Sequence, residues 1–401
     1  MRNKIGIIGG GQLGRMLSLA AKPLGYEVII LDPIENCPAA QVADKHIVAS
    51  FKDKKPVLQL AEEVDYLTYE IESANTDALE EIYNSHTSTG NVMIYPFPKS
   101  LEMIRDKFLQ KELLKKYHIP VSDCKAINTR KDILDFAHSY SYPFMLKARL
   151  NAYDGKGNAL ITCAGDIDTA LINLGASKSS GSSLDKVFDF DFSNLYLEAH
   201  VNFVKELAIV AARDQDTNYL SYPIVETIQL NNICHFVTAP ALVSKSVEDE
   251  MNIIAKKIGE ILDYVGVFAV EFFLGDSGEV LVNEIAPRVH NSGHFTIDAC
   301  KTSQFEQHIR AITAIPLGKT DLISPAAMAN LLADSHAPLN IYGRDRLLAM
   351  DNTYLHIYGK DSCKPERKMG HITCLDSNLQ QAFENVKRAK DIIKLNSHED
   401  H

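Results

Sequence analysis

The first 32 residues contain a strand, a glycine-rich turn, a helix and a second strand, and this order restricts the possible folds most strongly. The apolar runs at residues 4–8 and 28–31 are the strands, and the turn occupies residues 9–14. Two strands joined through a helix in this way form a parallel βαβ unit. A further apolar run at residues 64–69 extends the pattern. The sequence therefore predicts a doubly wound α/β domain over residues 1–98.

Three glycines of the turn, Gly9, Gly11 and Gly14, fit the pattern G-x-G-x-x-G between a strand and a helix. Such glycines let the backbone approach a phosphate, which the N–H groups and the positive end of the helix dipole then bind. Asp32 stands where a dinucleotide-binding fold has its ribose-binding acid. The same glycines also suit a tight, closely packed turn. The pattern does not separate a nicotinamide dinucleotide from a smaller phosphorylated ligand.

The bulk composition is that of an ordinary globular protein, with 46% hydrophobic and 23% charged residues among 401. A net charge of −11 argues against nucleic-acid and membrane-surface partners, because both favour a basic excess. No apolar run is long enough to cross a bilayer, and the N-terminus lacks the features of a signal peptide. The seven cysteines form no C-x-x-C pair, so we expect neither disulfides nor zinc, and we predict a cytoplasmic location.

Two carboxylates are predicted to share one face of a β-hairpin. Residues 267–285 are typical of two strands joined by the two-residue loop Asp276-Ser277. In that register Glu271 lies diagonal to Glu284, at roughly 7–8 Å, and such a pair suits one Mg²⁺ or Mn²⁺ ion. A slip of one residue would instead place the two acids on opposite faces. The alternative is a solvated sheet face with scattered acids.

A dense polar run directly follows the second strand of this hairpin. Pro287 ends the strand, so Arg288, His290 and Asn291 are predicted to lie on the loop behind it. A cation and hydrogen-bond donors beside a metal suit phosphoryl transfer, because charge spreads over the non-bridging oxygens of the phosphoryl group.

A lysine interrupts the apolar strand predicted at residues 143–149. A buried Lys147 needs an anionic partner, and a nucleotide phosphate would serve. The alternative is a lysine on an edge strand that limits aggregation. The loop behind, residues 152–158, contains glycines suited to closing over phosphates. Residues 198–201 have the mixed character of an adenine-binding hinge, and Glu206 is spaced to reach a ribose.

Together these features resemble the N5-carboxyaminoimidazole ribonucleotide synthetase family of ATP-grasp enzymes over almost the whole chain. Five segments carry the resemblance: GGGQLGRM at 9–16, YEIE at 69–72, YDGKG at 153–157, NEIAPRVHNSGH at 283–294 and RKMGH at 367–371. The segment at 283–294 is the most specific of them. Residues 222–227 and 296–300 resemble the fungal form, in which this unit is fused to a mutase or carboxylase domain.

The resemblance implies an ATP-grasp fold of mixed α/β and α+β class. Residues 1–98 would form an N-terminal pre-ATP-grasp domain, doubly wound and Rossmann-like, and residues 99–197 the lid subdomain with a connecting helix at 99–117. Residues 198–322 would form the catalytic subdomain, and residues 323–401 a small C-terminal domain with the tail. A homodimer is implied as well.

The reaction implied by the resemblance is an ATP-dependent carbon–nitrogen ligation of de novo purine biosynthesis. ATP would phosphorylate bicarbonate to carboxyphosphate, and the amine of aminoimidazole ribonucleotide would capture the carboxyl group. ATP is then a co-substrate, a divalent cation is the cofactor, and all partners are small molecules.

The resemblance also assigns roles to individual residues. Bicarbonate and carboxyphosphate would be bound by Arg288, His290, Asn291 and Lys360. The ATP site would contain Lys107, Lys147, Tyr153, Asp154, Gly155, Lys156, Gly157, Asn158, Glu198, Ala199, His200, Val201, Glu206, Gln229, Asn283 and Glu284. The ribonucleotide would be bound by Gly11, Gln12, Gly14, Glu70, Asp154 and Arg367, and the metal by Glu271 and Glu284.

Three other functions compete with this interpretation. A nicotinamide-dependent oxidoreductase would use the glycine turn but leave Glu271, Glu284 and Lys147 without a role. An ATP-binding protein without turnover would not need both acids. A sister ligase would use formate and another phosphorylated amine.

Two positions also depart from the family, with Lys107 where many members have Arg and Gln229 where many have His.

Overall fold

The structure is a computed structural model that describes residues 3–89, 92–150, 157–178 and 189–396. It contains two compact units, of which the first comprises residues 1–102, 205–271 and 285–401 and the second comprises residues 103–204 and 272–284. Within the described stretches of chain, no helix combines the length and the apolar character that crossing a membrane requires.

The N-terminal part of the first unit is the predicted doubly wound α/β structure. The elements of the first 105 residues are β1 (Lys4–Ile8), α1 (Gln12–Ala21), β2 (Glu27–Asp32), β3 (Lys45–Val48), α2 (Lys54–Glu62), β4 (Tyr66–Tyr69), α3 (Thr76–Thr89), β5 (Met93–Ile94) and α4 (Pro98–Arg105). The strands form a parallel sheet in the order β3-β2-β1-β4-β5. Since β1 and β4 are neighbours and pair at Ile8 and Tyr69, the glycine turn and Glu70 follow them at the same sheet edge.

The second unit contains an antiparallel sheet covered by helices. The elements of residues 107–199 are α5 (Lys107–Lys116), β6 (Cys124–Ala126), α6 (Arg130–Tyr140), β7 (Phe144–Ala148), β8 (Asn158–Ile161), α7 (Ile167–Asn173), β9 (Ser177–Lys178), β10 (Asp189–Phe190) and β11 (Leu195–Ala199). The sheet order is β6-β11-β7-β8. Phe136 of α6 and Leu171 of α7 pack with Phe144 and Leu146 of β7 in one buried core. Because β7 is an inner strand, Lys147 is not an edge lysine, and that alternative is wrong.

The single helix predicted at residues 99–117 is wrong, because the chain forms α4 and α5 with a break at Asp106. Asp106 has an extended backbone, and its side chain accepts hydrogen bonds from the N–H groups of Phe108 and Leu109, which is an N-cap. Its carboxylate also forms an ion pair with Arg149, whose Nε and Nη2 atoms donate to one carboxylate oxygen at 3.0 and 2.7 Å. The cap and this ion pair fix where α5 begins, and Lys107 is its first residue.

The remaining elements include the strands of a large sheet. They are β12 (Lys205–Arg213), β13 (Tyr219–Ser221), β14 (Val225–Leu230), β15 (Ile233–Ala239), α8 (Lys245–Ile261), β16 (Gly266–Leu274), β17 (Val280–Ala286), α9 (Thr296–Ala299), α10 (Gln304–Ile312), β18 (Ala326–Leu332), β19 (Ala337–Pro338), β20 (Ile341–Tyr342), α11 (Arg344–Leu348), β21 (Thr353–Ile357), β22 (Ser362–Cys363), β23 (Lys368–Leu375), α12 (Leu379–Ile392) and β24 (Lys394–Leu395). The order is β17-β16-β12-β14-β15-β18-β23-β21, with β13 beside β12. The C-terminal strands β18, β23 and β21 therefore continue the sheet that β12, β14 and β15 begin.

All seven cysteines are free in the structure. Four of them, Cys37, Cys300, Cys363 and Cys374, are buried, where a reduced thiol packs as a small apolar side chain.

Candidate active site

The glycine turn of the first unit encloses two acidic side chains. The N–H of Gly10 donates to the Asp32 carboxylate at 2.8 Å, and the N–H of Gly11 donates to the Glu70 carboxylate. A Cβ atom at Gly10 would lie 2.3 Å from the Cys37 sulfur, and one at Gly11 would lie 2.8 Å from a Glu70 oxygen. The glycines are therefore required by close packing. These two N–H groups already have carboxylate partners, which does not support their predicted use for a dinucleotide phosphate.

The carboxyl group of Glu70 is the most perturbed acid of this turn. Burial raises its pKa to about 7, although the hydrogen bond from Gly11 and the positive charges of Arg288 and Lys360 lower it and Asp32 raises it. Near neutral pH, Glu70 is therefore able to accept or to donate a proton. The structure thus brings together the predicted ribonucleotide residues Gly11 and Glu70 with the predicted bicarbonate residues Arg288 and Lys360.

The loop behind β17 presents Arg288 and His290 with acidic partners. Arg288 lies 3.3 Å from a Glu72 carboxylate oxygen and donates to the carbonyl of Val289. The Nε2 atom of His290 lies 3.4 Å from Glu271, and its Nδ1 atom lies 2.8 Å from the Ser292 hydroxyl. The predicted metal ligand Glu271 is therefore a direct neighbour of the predicted bicarbonate residue His290.

Asn291 is held by a second asparagine that the sequence did not single out. The two side-chain amides of Asn291 and Asn330 exchange reciprocal hydrogen bonds at 2.9 and 2.7 Å, and Asn330 also donates to the carbonyl of Cys234. Asn330 is fully buried on β18. One N–H and one acceptor direction of the Asn291 amide remain for other partners.

The two predicted residues of the C-terminal part differ in their surroundings. Lys360 donates to the carbonyl of Lys368 at 2.6 Å and lies 5.5 Å from the centre of the Tyr358 ring. Its charge also acts on Glu70. Arg367 instead donates to the carbonyl and the hydroxyl of Ser362, at 2.9 and 3.4 Å. The structure therefore groups Lys360 with Glu70, whereas the role predicted for Arg367 stays a prediction.

In the second unit, Lys147 has a protein partner rather than an exposed ammonium group. Its Nζ atom lies 3.1 Å from the Glu198 carboxylate, which also accepts hydrogen bonds from Ser122 and Tyr196 and forms an ion pair with Lys111 at 3.0 Å. Burial alone would raise the pKa of Glu198, but the charges of Lys111 and Lys147 and the Ser122 hydroxyl lower it to about 2. The Glu198 carboxylate is thus an anchor for two lysines, and sequence reasoning missed Lys111.

Lys107 and Glu284, both predicted ATP-site residues, form an ion pair of 3.3 Å in the same unit. The Glu284 side chain is 38% exposed, so it remains accessible to a ligand. Asn283 is also half-buried, and the half-buried Glu284 directly after it interrupts the alternation of buried and half-buried side chains along β17. Carboxylate and amide oxygens at this position have the donor chemistry that a hard divalent cation prefers.

The predicted two-residue hairpin loop is wrong. The N–H of Gly275 donates to the carbonyl of Glu279 at 2.9 Å, and the N–H of Gly278 donates to the carbonyl of Gly275. The loop therefore has three residues and ends at Gly278, whose φ of +92° favours glycine. The register assumed for Glu271 and Glu284 does not follow from this turn, and their sharing of one ion stays a prediction.

The other predicted ATP residues have diverse environments. Ala199 ends β11 and donates to the carbonyl of Asp123, His200 is exposed and Val201 is half-buried. The carbonyl of Gly157 accepts from Ala148, Asn158 pairs with Lys147, and Tyr153, Asp154, Gly155 and Lys156 lie outside the described residues. In the first unit, Gln229 lies at a register shift of β14. Burial raises the pKa of Glu206 to about 7.

A further cluster joins Asp298, His356 and His371, whose potential ligand atoms all lie within 4.8 Å of one another. The rings of the two histidines stack at 4.5 Å with planes only 16° apart. Imidazole lone pairs lie in the ring plane, so nearly parallel rings do not converge on one ion at about 2 Å. The Nε2 atom of His356 instead lies within hydrogen-bonding distance of the Asp298 carboxylate, at 2.8 Å. This cluster is a hydrogen-bonded stack rather than a metal centre.

The antiparallel sheet with Lys147 on an inner strand, the large sheet whose strand β17 contains Glu284, and the N-terminal parallel sheet are the architecture of an ATP-grasp protein. The ATP-grasp domain family matches residues 112–305, the ribonucleotide synthetase preATP-grasp domain matches residues 1–105, and the phosphoribosylaminoimidazole carboxylase C-terminal domain matches residues 326–385. The chain is 37% identical to the N5-carboxyaminoimidazole ribonucleotide synthase of Brucella melitensis over 92% of this chain and 95% of that one. The chain belongs to the N5-carboxyaminoimidazole ribonucleotide synthase family, whose members are ATP-dependent ligases.

Two further comparisons extend this result. The phosphoribosylaminoimidazole carboxylase of Candida albicans is 40% identical over 94% of this chain, which spans 65% of that protein's length. The Aspergillus clavatus N5-carboxyaminoimidazole synthase, crystallised with ADP and 5-aminoimidazole ribonucleotide, is 36% identical with a TM-score of 0.85 over 98% of both chains. The family and the fold predicted from the sequence are thereby confirmed. The nicotinamide-dependent oxidoreductase is not supported.

Proposed function

We propose that this chain carboxylates 5-aminoimidazole ribonucleotide with bicarbonate and ATP, giving N5-carboxyaminoimidazole ribonucleotide, ADP and phosphate. The observation that carries the proposal is the grouping of Glu70, Arg288 and Lys360 beside the glycine turn, where the charges of both cations act on the Glu70 carboxyl group. The Aspergillus clavatus relative was crystallised with ADP and 5-aminoimidazole ribonucleotide, which are the nucleotide product and the amine substrate of this reaction.

The first chemical step joins bicarbonate to the γ-phosphate. A bicarbonate oxygen attacks the γ-phosphorus, the bond to the β-phosphate oxygen breaks, and ADP leaves as carboxyphosphate forms. Arg288 and His290 stabilise the developing negative charge, and Asn291 contributes its remaining N–H. Lys107 and Lys147 bind the ATP phosphates, which requires Lys147 to exchange part of its contact with Glu198 for the nucleotide.

The second step transfers the carboxyl group to the amine of the imidazole. The amine attacks the carboxyl carbon of carboxyphosphate, or CO₂ released from it, phosphate leaves, and the nitrogen loses a proton. Glu70 accepts that proton or orients the amine, since its pKa of about 7 suits either role near neutral pH. Gly11, Gln12 and Gly14 border the ribonucleotide, while Lys360 and Arg367 bind its phosphate or the carboxyphosphate.

The remaining ATP assignments follow the family. Glu206 holds the ribose, because its desolvated carboxyl group is suited to hydroxyl donors. The adenine contacts are assigned to Glu198, Ala199, His200 and Val201, with Gln229 near the nucleotide. Glu271 and Glu284 are proposed to bind Mg²⁺ or Mn²⁺, and when bound the ion neutralises charge on the transferred phosphoryl group. Asn283 is proposed as a further oxygen ligand, and the loop at residues 152–158 is proposed to cover the phosphates.

We also propose a cytoplasmic location, a homodimer, and domain boundaries at residues 98, 197 and 322. A mutase or carboxylase domain is proposed to act with this unit, as the longer Candida albicans relative suggests.

The proposed function is tested by measuring ADP release with Mg-ATP, bicarbonate and 5-aminoimidazole ribonucleotide, each omitted in turn. ADP release should require all three, and ¹³C-bicarbonate should give a carbamate carbon signal. A rate that the ribonucleotide does not stimulate would overturn the proposal. Formate in place of bicarbonate distinguishes the sister ligase, and ATP binding without any turnover would identify a non-catalytic protein.

A further inference from the structure

Gln304, the first residue of α10, is fully buried, and its side-chain amide contacts the loop that contains His290 and Asn291. Its Oε1 atom accepts from the His290 backbone N–H at 2.9 Å, and its Nε2 atom donates to the His290 carbonyl at 2.7 Å. The same Nε2 atom lies 3.1 Å from Nδ1 of His294. One amide therefore satisfies both backbone groups of His290 and one ring nitrogen of His294.

These contacts determine the orientation of the Gln304 amide and the tautomer of His294, which the positions of the non-hydrogen atoms alone do not determine. The His290 N–H can only donate and its carbonyl can only accept, so the Gln304 amide has one possible orientation. Burial, with smaller electrostatic effects of His290, Lys368 and other neighbours, holds the pKa of His294 well below its usual range, so this ring is neutral near neutral pH. Because Nδ1 faces an N–H donor, the single proton of His294 lies on Nε2.

Close packing leaves the loop little freedom around this amide. A Cβ atom at Gly293 would lie 2.6 Å from Oε1 of Gln304. The backbone N–H of Gln304 donates to the Thr296 hydroxyl at 2.9 Å, and that hydroxyl donates to the Gly293 carbonyl. The loop between β17 and α9 is therefore attached to the start of α10 through side-chain hydrogen bonds in addition to the backbone.

We propose that Gln304 is a positioning residue for bicarbonate: its amide holds the His290 backbone, and thereby the side chains of His290 and Asn291, in the orientation that binds bicarbonate. This inference rests on the proposed function. Gln304 does not touch the reacting atoms and acts through His290. Removing its amide should therefore weaken bicarbonate binding more than ATP binding.

The same helix contains a matched control. Gln307 is also fully buried, and its amide contacts both backbone groups of Gly318, donating to the carbonyl and accepting from the N–H at 2.8 Å each. Gln304→Met and Gln307→Met thus remove equivalent amides at positions three residues apart, and both should lower stability to a similar extent. Only the first removes the contact with His290.

The kinetic test compares the KM values of bicarbonate and ATP in the two variants. We expect Gln304→Met to raise the KM for bicarbonate about tenfold, the ratio that corresponds to one net hydrogen bond, with the KM for ATP little changed. Gln307→Met should leave both KM values near those of the unchanged chain. Equal effects of the two variants on bicarbonate, or an unchanged bicarbonate KM in Gln304→Met, would overturn the proposal.

A second measurement does not depend on activity. ¹⁵N-labelled histidine rings report the tautomer of His294 by NMR, with a control His294→Gln variant to identify its signal. The unchanged chain should show the proton on Nε2, and Gln304→Glu, whose carboxylate only accepts, should move it to Nδ1. A proton on Nδ1 in the unchanged chain would refute the contact itself. If the tautomer is as expected but no bicarbonate-dependent turnover occurs, the proposed function fails rather than the geometry.

Discussion

Replacing Lys111 with methionine tests the Glu198 network of the second unit. Lys111 and Glu198 are each only 2% exposed, and their charged atoms lie 3.0 Å apart. Methionine has a similar length and fills the same apolar space, so the change removes the charge with little loss of packing. Glu198 would keep Lys147, Ser122 and Tyr196 as partners.

The magnitude follows from the pKa of Glu198. Its partners lower this pKa from 4.5 to about 2 against the opposing effect of burial. Since each pKa unit is worth about 1.4 kcal/mol, the ionised network contributes about 3 kcal/mol near neutral pH. Removing one partner of a buried pair costs about 3–5 kcal/mol in other proteins, and methionine avoids the burial cost of the Lys111 charge. Lys111 is one of several partners of Glu198, and burial lowers the pKa of Lys111 itself, so we expect Lys111→Met to lower the free energy of unfolding by about 1–3 kcal/mol.

The sign of the pH dependence is fixed by the lowered pKa. The contribution of Glu198 is fully present above its ordinary pKa of 4.5 and is lost as the pH falls towards 2. The difference between Lys111→Met and the unchanged chain should accordingly be largest near neutral pH and shrink below pH 4.5.

Urea unfolding followed by far-UV circular dichroism suits this measurement, because the chain contains no tryptophan. Lys115→Met is the matched control, since Lys115 lies one turn later on α5, and its side chain is 32% exposed beside Glu112. That partly exposed pair should contribute less than about 1 kcal/mol. Equal losses in the two variants, or a Lys111→Met difference that does not shrink in acid, would refute the reasoning.

Two further predictions concern the ligands. Glu284→Gln should leave the circular dichroism spectrum unchanged and abolish turnover at ordinary Mg²⁺ concentrations, because an amide is a poorer ligand for a hard cation and no longer pairs with Lys107; near-normal turnover would make the metal assignment wrong. Arg367→Ala should raise the KM of the ribonucleotide about tenfold or more, since a charge-assisted hydrogen bond is worth about 1.5–3 kcal/mol; an unchanged KM with weakened ATP binding would assign Arg367 elsewhere.

The regular elements were predictable because their signals are local. The apolar runs of β1, β2 and β4 and the polar run after Pro287 need only the spacing of neighbouring residues. The prediction of a two-residue hairpin loop was wrong because the loop length has no such local signal. Asp276-Ser277 suits a two-residue loop, but the actual loop length depends on the positive φ of Gly278. Glycine adopts positive and negative φ about equally readily, so the sequence does not show which of the two occurs.

The supporting residues of the site were unpredictable because their partners lie far along the chain. Lys111 belongs to the run KFLQKELLKK, in which every lysine resembles a solvated one. Only the pairing of β11 beside β6 and β7 brings Glu198 to it. Gln304 follows the N-cap residue Ser303, so the sequence indicates only that it begins a helix. Its contact with His290 depends on the folded structure and has no local sequence signal.

The glycine pattern of residues 9–14 occurs both in turns that bind a phosphate and in turns whose N–H groups bind carboxylates, as here. In a dinucleotide-binding fold the N–H groups behind the first strand stay open for a phosphate. Here Asp32 and Glu70 occupy the N–H groups of Gly10 and Gly11, so this edge of the sheet presents carboxylate oxygens rather than N–H donors. Carboxylates attract amines and hydroxyls and repel phosphates. We therefore propose that the imidazole amine or the ribose binds beside Glu70, and that the phosphate of the ribonucleotide binds near cations such as Lys360 or Arg367.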